Sequence, residues 1–335
     1  FVFLCSKADL QAQDTALLRL RHLANDTVKV NQLLAHGKTL TKTDPSGAME
    51  VFNEALVIAR QLHDENGMAR ARLGQAFINL NTGNFRDCIR QYKSAADLFR
   101  KLGNVREMCN AQLDLAAGFG AIGQRDSAFF YCMSALKVLE TQPFIRERSR
   151  AYLNLGTQYN NLRSYDNAIL YQKKALELAV GAKDTAMLLN TYSALSLSYD
   201  NKGDQQQAFD MAHAALNYLT PSSNRSSACR IYDQYAYSCI SVGRYNEAVE
   251  AAQRAMSIAR ELNDNNHYAS SATTLAKAYI QKSNYKEAIT VLNELESASG
   301  EINNAVQEDF YELLAEAYYK TGNYKKAADA YGTLL

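Results

Sequence analysis

Apolar and small residues recur along the chain at i, i+3, i+4 and i+7, the spacing of amphipathic helices. The helical segments are separated by short polar loops, as in Leu62-His63-Asp64-Glu65-Asn66-Gly67 and Leu262-Asn263-Asp264-Asn265-Asn266. One phrase repeats between segments: Gly, a polar residue, often an aromatic, two polar residues, then a small residue. It reads Gly83-Asn84-Phe85-Arg86-Asp87-Cys88 and Gly243-Arg244-Tyr245-Asn246-Glu247-Ala248, and without glycine Ser164-Tyr165-Asp166-Asn167-Ala168. The small residue that closes it falls at Ala48, Cys88, Ala128, Ala168, Ala208, Ala248, Ala288 and Ala327, in six steps of 40 and one of 39. A second ladder lies seven positions later, at Ala55, Ala95, Ala135, Ala175, Ala215 and Ala255.

Each period therefore reads as two helices joined by a tight turn at the Gly or Ser. Small side chains seven apart let one helix approach its neighbours closely. A period of 40 leaves about 16 to 18 residues per helix, or roughly 25 Å. The expectation is an all-α chain: an α-solenoid of eight helix-turn-helix repeats with no sheet. The repeats fall at 28–67, 68–107, 108–147, 148–187, 188–227, 228–267, 268–306 and, cut short, 307–335. A lead-in covers 9–27. Residues 1–8, with apolar Phe1 to Cys5 and then Ser6-Lys7-Ala8, read as the tail of a signal peptide with a small-x-small cleavage site.

Residues 149–178 carry a large residue at Tyr152, the Leu155-Gly156 pair, Tyr159, Tyr165, Ala168 and Ala175. This pattern resembles the tetratricopeptide-repeat (TPR) consensus, and the resemblance extends over about residues 28–335. It departs from that family in its period of 40 rather than 34. It also departs at Pro45 and His36 in repeat one, which replace the aromatic and the glycine, and at Asn79 in repeat two, where Tyr is expected. The resemblance implies a right-handed superhelix whose first helices line a concave face. It further implies that the second, sixth and ninth positions of those helices meet the ligand. Mapped here, the second positions are Arg70, Asn110, Arg150, Asn190, Arg230, Ser270 and Asp309, and the sixth include Asp114, Asn154, Gln234 and Thr274. The implied ligand groove is Arg70, Asn110, Arg150, Asn154, Asn190, Arg230 and Gln234, centred on Arg150, Asn154, Asn190 and Arg230. Asn can bond both groups of a peptide backbone and Arg can fork onto a carboxylate, which points to a protein or peptide partner of polar or acidic character. The same residues also suit a groove wall that is simply solvated.

A finer likeness lies in Asp26-Thr27-Val28-Lys29-Val30-Asn31-Gln32-Leu33-Leu34 with Ser46-Gly47-Ala48 and Glu54-Ala55-Leu56. It resembles the start of extracytoplasmic TPR arrays in bacterial two-component sensor kinases. In such proteins a transmembrane helix and a kinase or DNA-binding module follow the array, which fits a repeat interrupted at Leu335. The expectation is a periplasmic, membrane-tethered sensing region that touches the membrane only through segments outside this chain. A cytoplasmic TPR regulator or peptide receptor and a free cell-envelope scaffold remain as alternatives, and a homodimer is compatible with the sequence.

Composition narrows the chemistry. Lys and Arg number 36 against 35 Asp and Glu, so a net charge of +1 provides no field for a nucleic acid. Three prolines fit a nearly all-helical chain. Cys5, Cys88, Cys109, Cys132, Cys229 and Cys239 have no paired spacing and read as packing residues. His22, His36, His63, His213 and His267 show no metal spacing. Gly118-Phe119-Gly120-Ala121-Ile122-Gly123 spells a dinucleotide fingerprint, but it ends a helix instead of following a strand. Gly37-Lys38-Thr39 imitates the end of a phosphate-binding loop with Gln32 where its first glycine belongs. The repeating Tyr and Phe, among them Phe85, Phe119, Tyr159, Tyr199, Tyr318 and Tyr324, read as inter-helix packing. No catalytic set, cofactor or metal site is expected.

Overall fold

The computed structural model describes residues 17–41, 43–220, 224–299 and 304–334. The expected signal-peptide tail and Cys5 lie outside them. After a short helical stretch at 17–21, sixteen helices follow, and no strand occurs among the described residues. The first helices of the repeats are α1 (Thr27–Leu40), α3 (Glu65–Asn81), α5 (Val105–Ala121), α7 (Ile145–Asn161), α9 (Thr185–Lys202), α11 (Arg225–Ser241), α13 (Asn265–Gln281) and α15 (Asn304–Lys320). The second helices are α2 (Pro45–Gln61), α4 (Phe85–Lys101), α6 (Arg125–Leu139), α8 (Tyr165–Ala182), α10 (Gln205–Leu216), α12 (Tyr245–Glu261), α14 (Tyr285–Ser299) and α16 (Tyr324–Leu334). The chain is an all-α solenoid of TPR-like repeats.

The inter-repeat loops start the first helices. Their Asp or Asn caps a free backbone N–H of the first turn. Asp64 accepts from the Gly67 N–H at 2.9 Å, Asp184 from Met187 at 3.1 Å and Asp264 from His267 at 3.1 Å. The helices end on residues with positive φ spaced about one helix apart. Gly83, Gly123, Gly203, Gly243 and Gly322 take this role between the helices of a repeat, and His63, Gly103, Lys183 and Asn263 take it between repeats. Arg163 and Ser283 hold the same left-handed geometry without glycine. Several second helices are shorter than the sequence spacing suggests, α14 with 15 residues and α16 with 11 among them. α10 has 12 residues and α6 has 15. Pro221 and Pro143 follow α10 and α6 in sequence, and a proline disfavours helical backbone just before it.

Both small-residue ladders are interior. Ala48, Cys88, Ala128, Ala168, Ala208, Ala248 and Ala288 are fully buried, as are Ala55, Ala95, Ala135, Ala175 and Ala255. The chain divides into two compact units, 1–158 and 159–335, each with its own core. In the first, Val30, Leu33, Leu34 and Phe52 pack together. In the second, Tyr235, Leu275, Leu292 and Phe310 anchor a core that draws on α10 to α16. Within the second unit, α9 packs on α11, α11 on α13 and α13 on α15, while consecutive second helices make no comparable contact among the described residues. The first helices thus form the close-packed wall.

Of the aromatic stripe, Tyr199 and Tyr318 are buried, and Phe119 stacks on Tyr131 with ring centres 5.5 Å apart. Tyr324 departs from the packing expectation. It is 64% exposed and meets Tyr319 edge-on. The two nucleotide-like strings are both helical. Gly37 lies inside α1, and a Cβ there would come within 2.7 Å of the Phe52 ring. Gly74 in α3 is closer still at 2.5 Å, so both glycines make room for Phe52. Gly118 in α5 sits against Cys88 Sγ, and Gly123 ends its helix at φ +73°.

Candidate ligand-binding groove

The first helices present a ladder of polar side chains, and most rungs are tied to the first helix one repeat earlier. In the first unit, Arg70 Nη1 donates to Asn31 Oδ1 at 2.6 Å. Arg150 forms an ion pair with Asp114, and Asn154 Nδ2 reaches the Leu113 carbonyl at 3.5 Å. Arg106 bonds the buried Glu147 at 2.6 Å. Asn110 lies half-buried on the same face of α5. In the second unit, Arg230 donates to Ser193 Oγ at 2.6 Å and to Asn190 Oδ1 at 3.0 Å. Gln234 Nε2 donates to Ser196 Oγ at 3.3 Å, and Ser270 Oγ donates to Asp233 Oδ2 at 2.7 Å. Burial weakens the hold of Arg230 on its proton relative to a free guanidinium, yet the group stays charged at any physiological pH.

Two clefts open on this face, one in each unit. The first, of about 610 Å³, is lined by Lys38, Phe52, Arg70, Phe77, Phe99 and Glu107 among others. The second, of about 580 Å³, is built entirely from the first helices α9, α11, α13 and α15. Its polar floor contains Arg230, Asp233, Gln234, Ser270 and Thr274. Asp200 and Lys277 line one part of it, and Asp309, Glu312 and Glu316 of α15 another. Leu197, Tyr237, Ile280, Val306 and Leu313 supply apolar surface.

Asp233 is the most constrained of these groups. It keeps a sliver of surface while its carboxyl is enclosed, and its Oδ1 meets no hydrogen-bond donor among the described residues. Burial raises its pKa above the ordinary carboxylate range, against the opposing effect of the Ser270 hydrogen bond, the nearby Thr274 and Ser271 hydroxyls and the charge of His267. Asp200 is raised for the same reason, with Lys277 pulling the other way.

The expected groove residues are thus gathered by unit. Arg70, Asn110, Arg150 and Asn154 lie in the first, and Asn190, Arg230 and Gln234 in the second. The sequence reading passed over Asp233, Asp200, Lys277, Glu312 and Glu316. The period was the available signal. Ser193, Asp233 and Thr273 share one repeat position, as do Leu197, Tyr237 and Lys277, and that second position carries an exposed leucine and a partly exposed tyrosine.

Other chemistry is sparse. The five described cysteines are free and buried, and burial pushes the thiols of Cys88, Cys109, Cys229 and Cys239 up to about 11 and that of Cys132 to about 12. Among the described residues no group of three His, Cys, Asp or Glu side chains is placed to hold a metal ion. No described helix is long and apolar enough to cross a membrane.

Comparison with known proteins agrees with the fold. Tetratricopeptide-repeat models match residues 227–299 and 149–179, and a model of anaphase-promoting complex subunit 5 matches 39–78. The chain carries tetratricopeptide repeats. No curated protein matches the TPR chain by sequence. Among solved structures, the apo form of the quorum sensor NprR from B. thuringiensis is 16% identical, with a TM-score of 0.67 over 98% of this chain and 92% of its own. A Rap protein complexed with competence and sporulation factor is 15% identical, with a TM-score of 0.65 over 98% and 91%. The Rap conjugation gene regulator of plasmid pLS20, in complex with the Phr* peptide, is 13% identical, with a TM-score of 0.59 over 91% and 95%. At these identities the likeness is one of fold.

Proposed function

We propose that this TPR chain is a peptide receptor that acts by recognition and catalyses no reaction, with its ligand lying along the first helices. The observation that carries this reading is the cleft of the second unit, which is walled by four successive first helices and by no second helix. Polar groups that fix orientation alternate there with apolar surface, the usual make-up of a ligand site. Of the structures sharing the fold, one holds the Phr* peptide and another competence and sporulation factor, which supports a peptide in this chain as well. The buried, high-pKa thiols offer no thiolate for nucleophilic chemistry. A regulatory receptor is favoured over an extracytoplasmic sensing region. The latter remains the second reading, supported by the likeness at Asp26 to Leu34 and by the signal-peptide pattern of residues 1–8.

The test is capture of immobilised random heptapeptides by the 335-residue chain, followed by amide hydrogen exchange with the captured peptides. Protection concentrated on α9, α11, α13 and α15 is the expected result. Protection confined to second helices, or no capture at all, overturns the proposal.

A further inference from the structure

We infer that the cleft of the second unit selects a peptide bearing a lysine or arginine side chain between apolar neighbours, with that cation placed over Asp233. This rests on the peptide-receptor reading and gives its ligand a charge.

The sign follows from which charges are already engaged. Five carboxylates line the cleft against two cations. Arg230 is occupied by Ser193 and Asn190, and Lys277 holds its ammonium over the Tyr237 ring at 5.1 Å. None of Asp200, Asp233, Asp309, Glu312 or Glu316 forms an ion pair among the described residues. Asp309, Glu312 and Glu316 stand at i, i+3 and i+7 along α15 and so share one face, with their charges uncompensated. The arginine ladder suggests an acidic partner when read from sequence, but in this unit its arginine is spent on holding adjacent helices together.

A solvated acidic wall would account for the carboxylates of α15 but not for Asp233. That carboxyl is enclosed beneath the cleft with one oxygen unpartnered. Enclosing a carboxylate without a counter-charge is costly, and truncation to a neutral polar or apolar residue would remove the cost. A cation arriving from the ligand supplies the ion-pair partner that Asp233 lacks, in a cleft partly screened from water, where opposite charges interact more strongly than in solution. The apolar surface of Leu197, Ile280, Val306 and Leu313 around the floor suits aliphatic side chains on either side of the cation.

The experiment uses two pools of labelled, acetylated heptapeptides. One has arginine fixed at the centre and the other glutamate, with Leu, Val, Ala and Ser mixed at the flanking positions. Binding to the 335-residue chain is read by fluorescence anisotropy. The arginine pool is expected to bind about ten- to a hundredfold more tightly, the range of one charge-assisted contact. Asp309→Asn with Glu312→Gln alters two exposed side chains, with the fold checked by circular dichroism, and should erase most of that preference. Asp233→Asn should erase it as well. Equal or tighter binding of the glutamate pool overturns the inference and leaves the receptor reading standing, as does an undiminished arginine preference in the variants. Failure of both pools to bind overturns the receptor reading itself.

Discussion

Arg230 Nη2 donates to Asn190 Oδ1 across 3.0 Å, one whole 40-residue period upstream on the neighbouring first helix. With the second bond to Ser193, this clamps α11 to α9. Arg230→Ala should lower stability by about 1–2 kcal/mol, the lower part of the range for hydrogen bonds to charged groups because Asn190 is exposed. Chemical denaturation of Arg230→Ala, Asn190→Ala and the double variant should give a coupling energy of about 0.5–1 kcal/mol. Strict additivity would show that the bond does not form in solution.

Asp233 makes an opposite prediction. Its folded-state pKa is raised, so folding favours its protonated form. The sign follows: this group adds stability at pH below its ordinary carboxylate value and withdraws it as pH climbs through the raised folded value. Asp233→Asn should therefore raise the unfolding free energy at pH 7 by on the order of 1 kcal/mol, read from chemical denaturation, and flatten the pH dependence on the acidic side. A lower unfolding free energy at pH 7 would mean that the Ser270 hydrogen bond and the neighbouring polar groups outweigh the burial. Under the proposed function, Asp233 would destabilise the empty fold while serving the ligand, an ordinary trade-off in binding sites.

Gly74→Ala places a methyl group 2.5 Å from the Phe52 ring. Overpacking of this kind costs about 1–3 kcal/mol. Adding Phe52→Leu should recover part of that loss, so the double variant should be less destabilised than the two single changes summed. Thermal or urea melts of the three variants test this, and a wild-type midpoint for Gly74→Ala would contradict the packing.

The cysteines should be silent in the folded chain. Cys229 Sγ donates to the Ala255 carbonyl at 3.3 Å, and its thiol and that of Cys132 are fully buried. An aromatic disulfide reagent at pH 8 should label Cys88, Cys109, Cys132, Cys229 and Cys239 at a rate that rises steeply once denaturant unfolds the array. Rapid labelling of any of them in buffer would show local opening at that repeat.

The architecture was legible in the sequence because its determinants are local and repeated. A residue such as Ala248 is small for one geometric reason, and that reason recurs every period. The caps were legible in the same way, since an Asp before a helix acts on a backbone only three residues away. Phe52 was less legible. The two glycines that admit it, Gly37 and Gly74, belong to different helices, and only the folded chain brings them to one ring. Asp233 was not legible because an acid on an inner helix face looks like any solvated acid. Its enclosure depends on Ser270 and Thr274 from the next repeat. Lys183 and Arg163 at positive φ were missed for a related reason, since turn position there outweighs residue preference.

The division of labour between ladder positions also bears on how such a chain can vary. Ala168, Ala208, Ala248 and Ala288 meet other helices and are closed to solvent, whereas the cleft positions near Asp233, Lys277 and Glu312 lie on a different face of different helices. A substitution that redraws the ligand face leaves every small-residue contact in place. Because neighbouring repeats share the same contacts, an inserted or deleted block of one full period rejoins surfaces that already fit. The exposed face of the first helices can thus be lengthened, shortened or rewritten one block at a time, without a new solution to the packing.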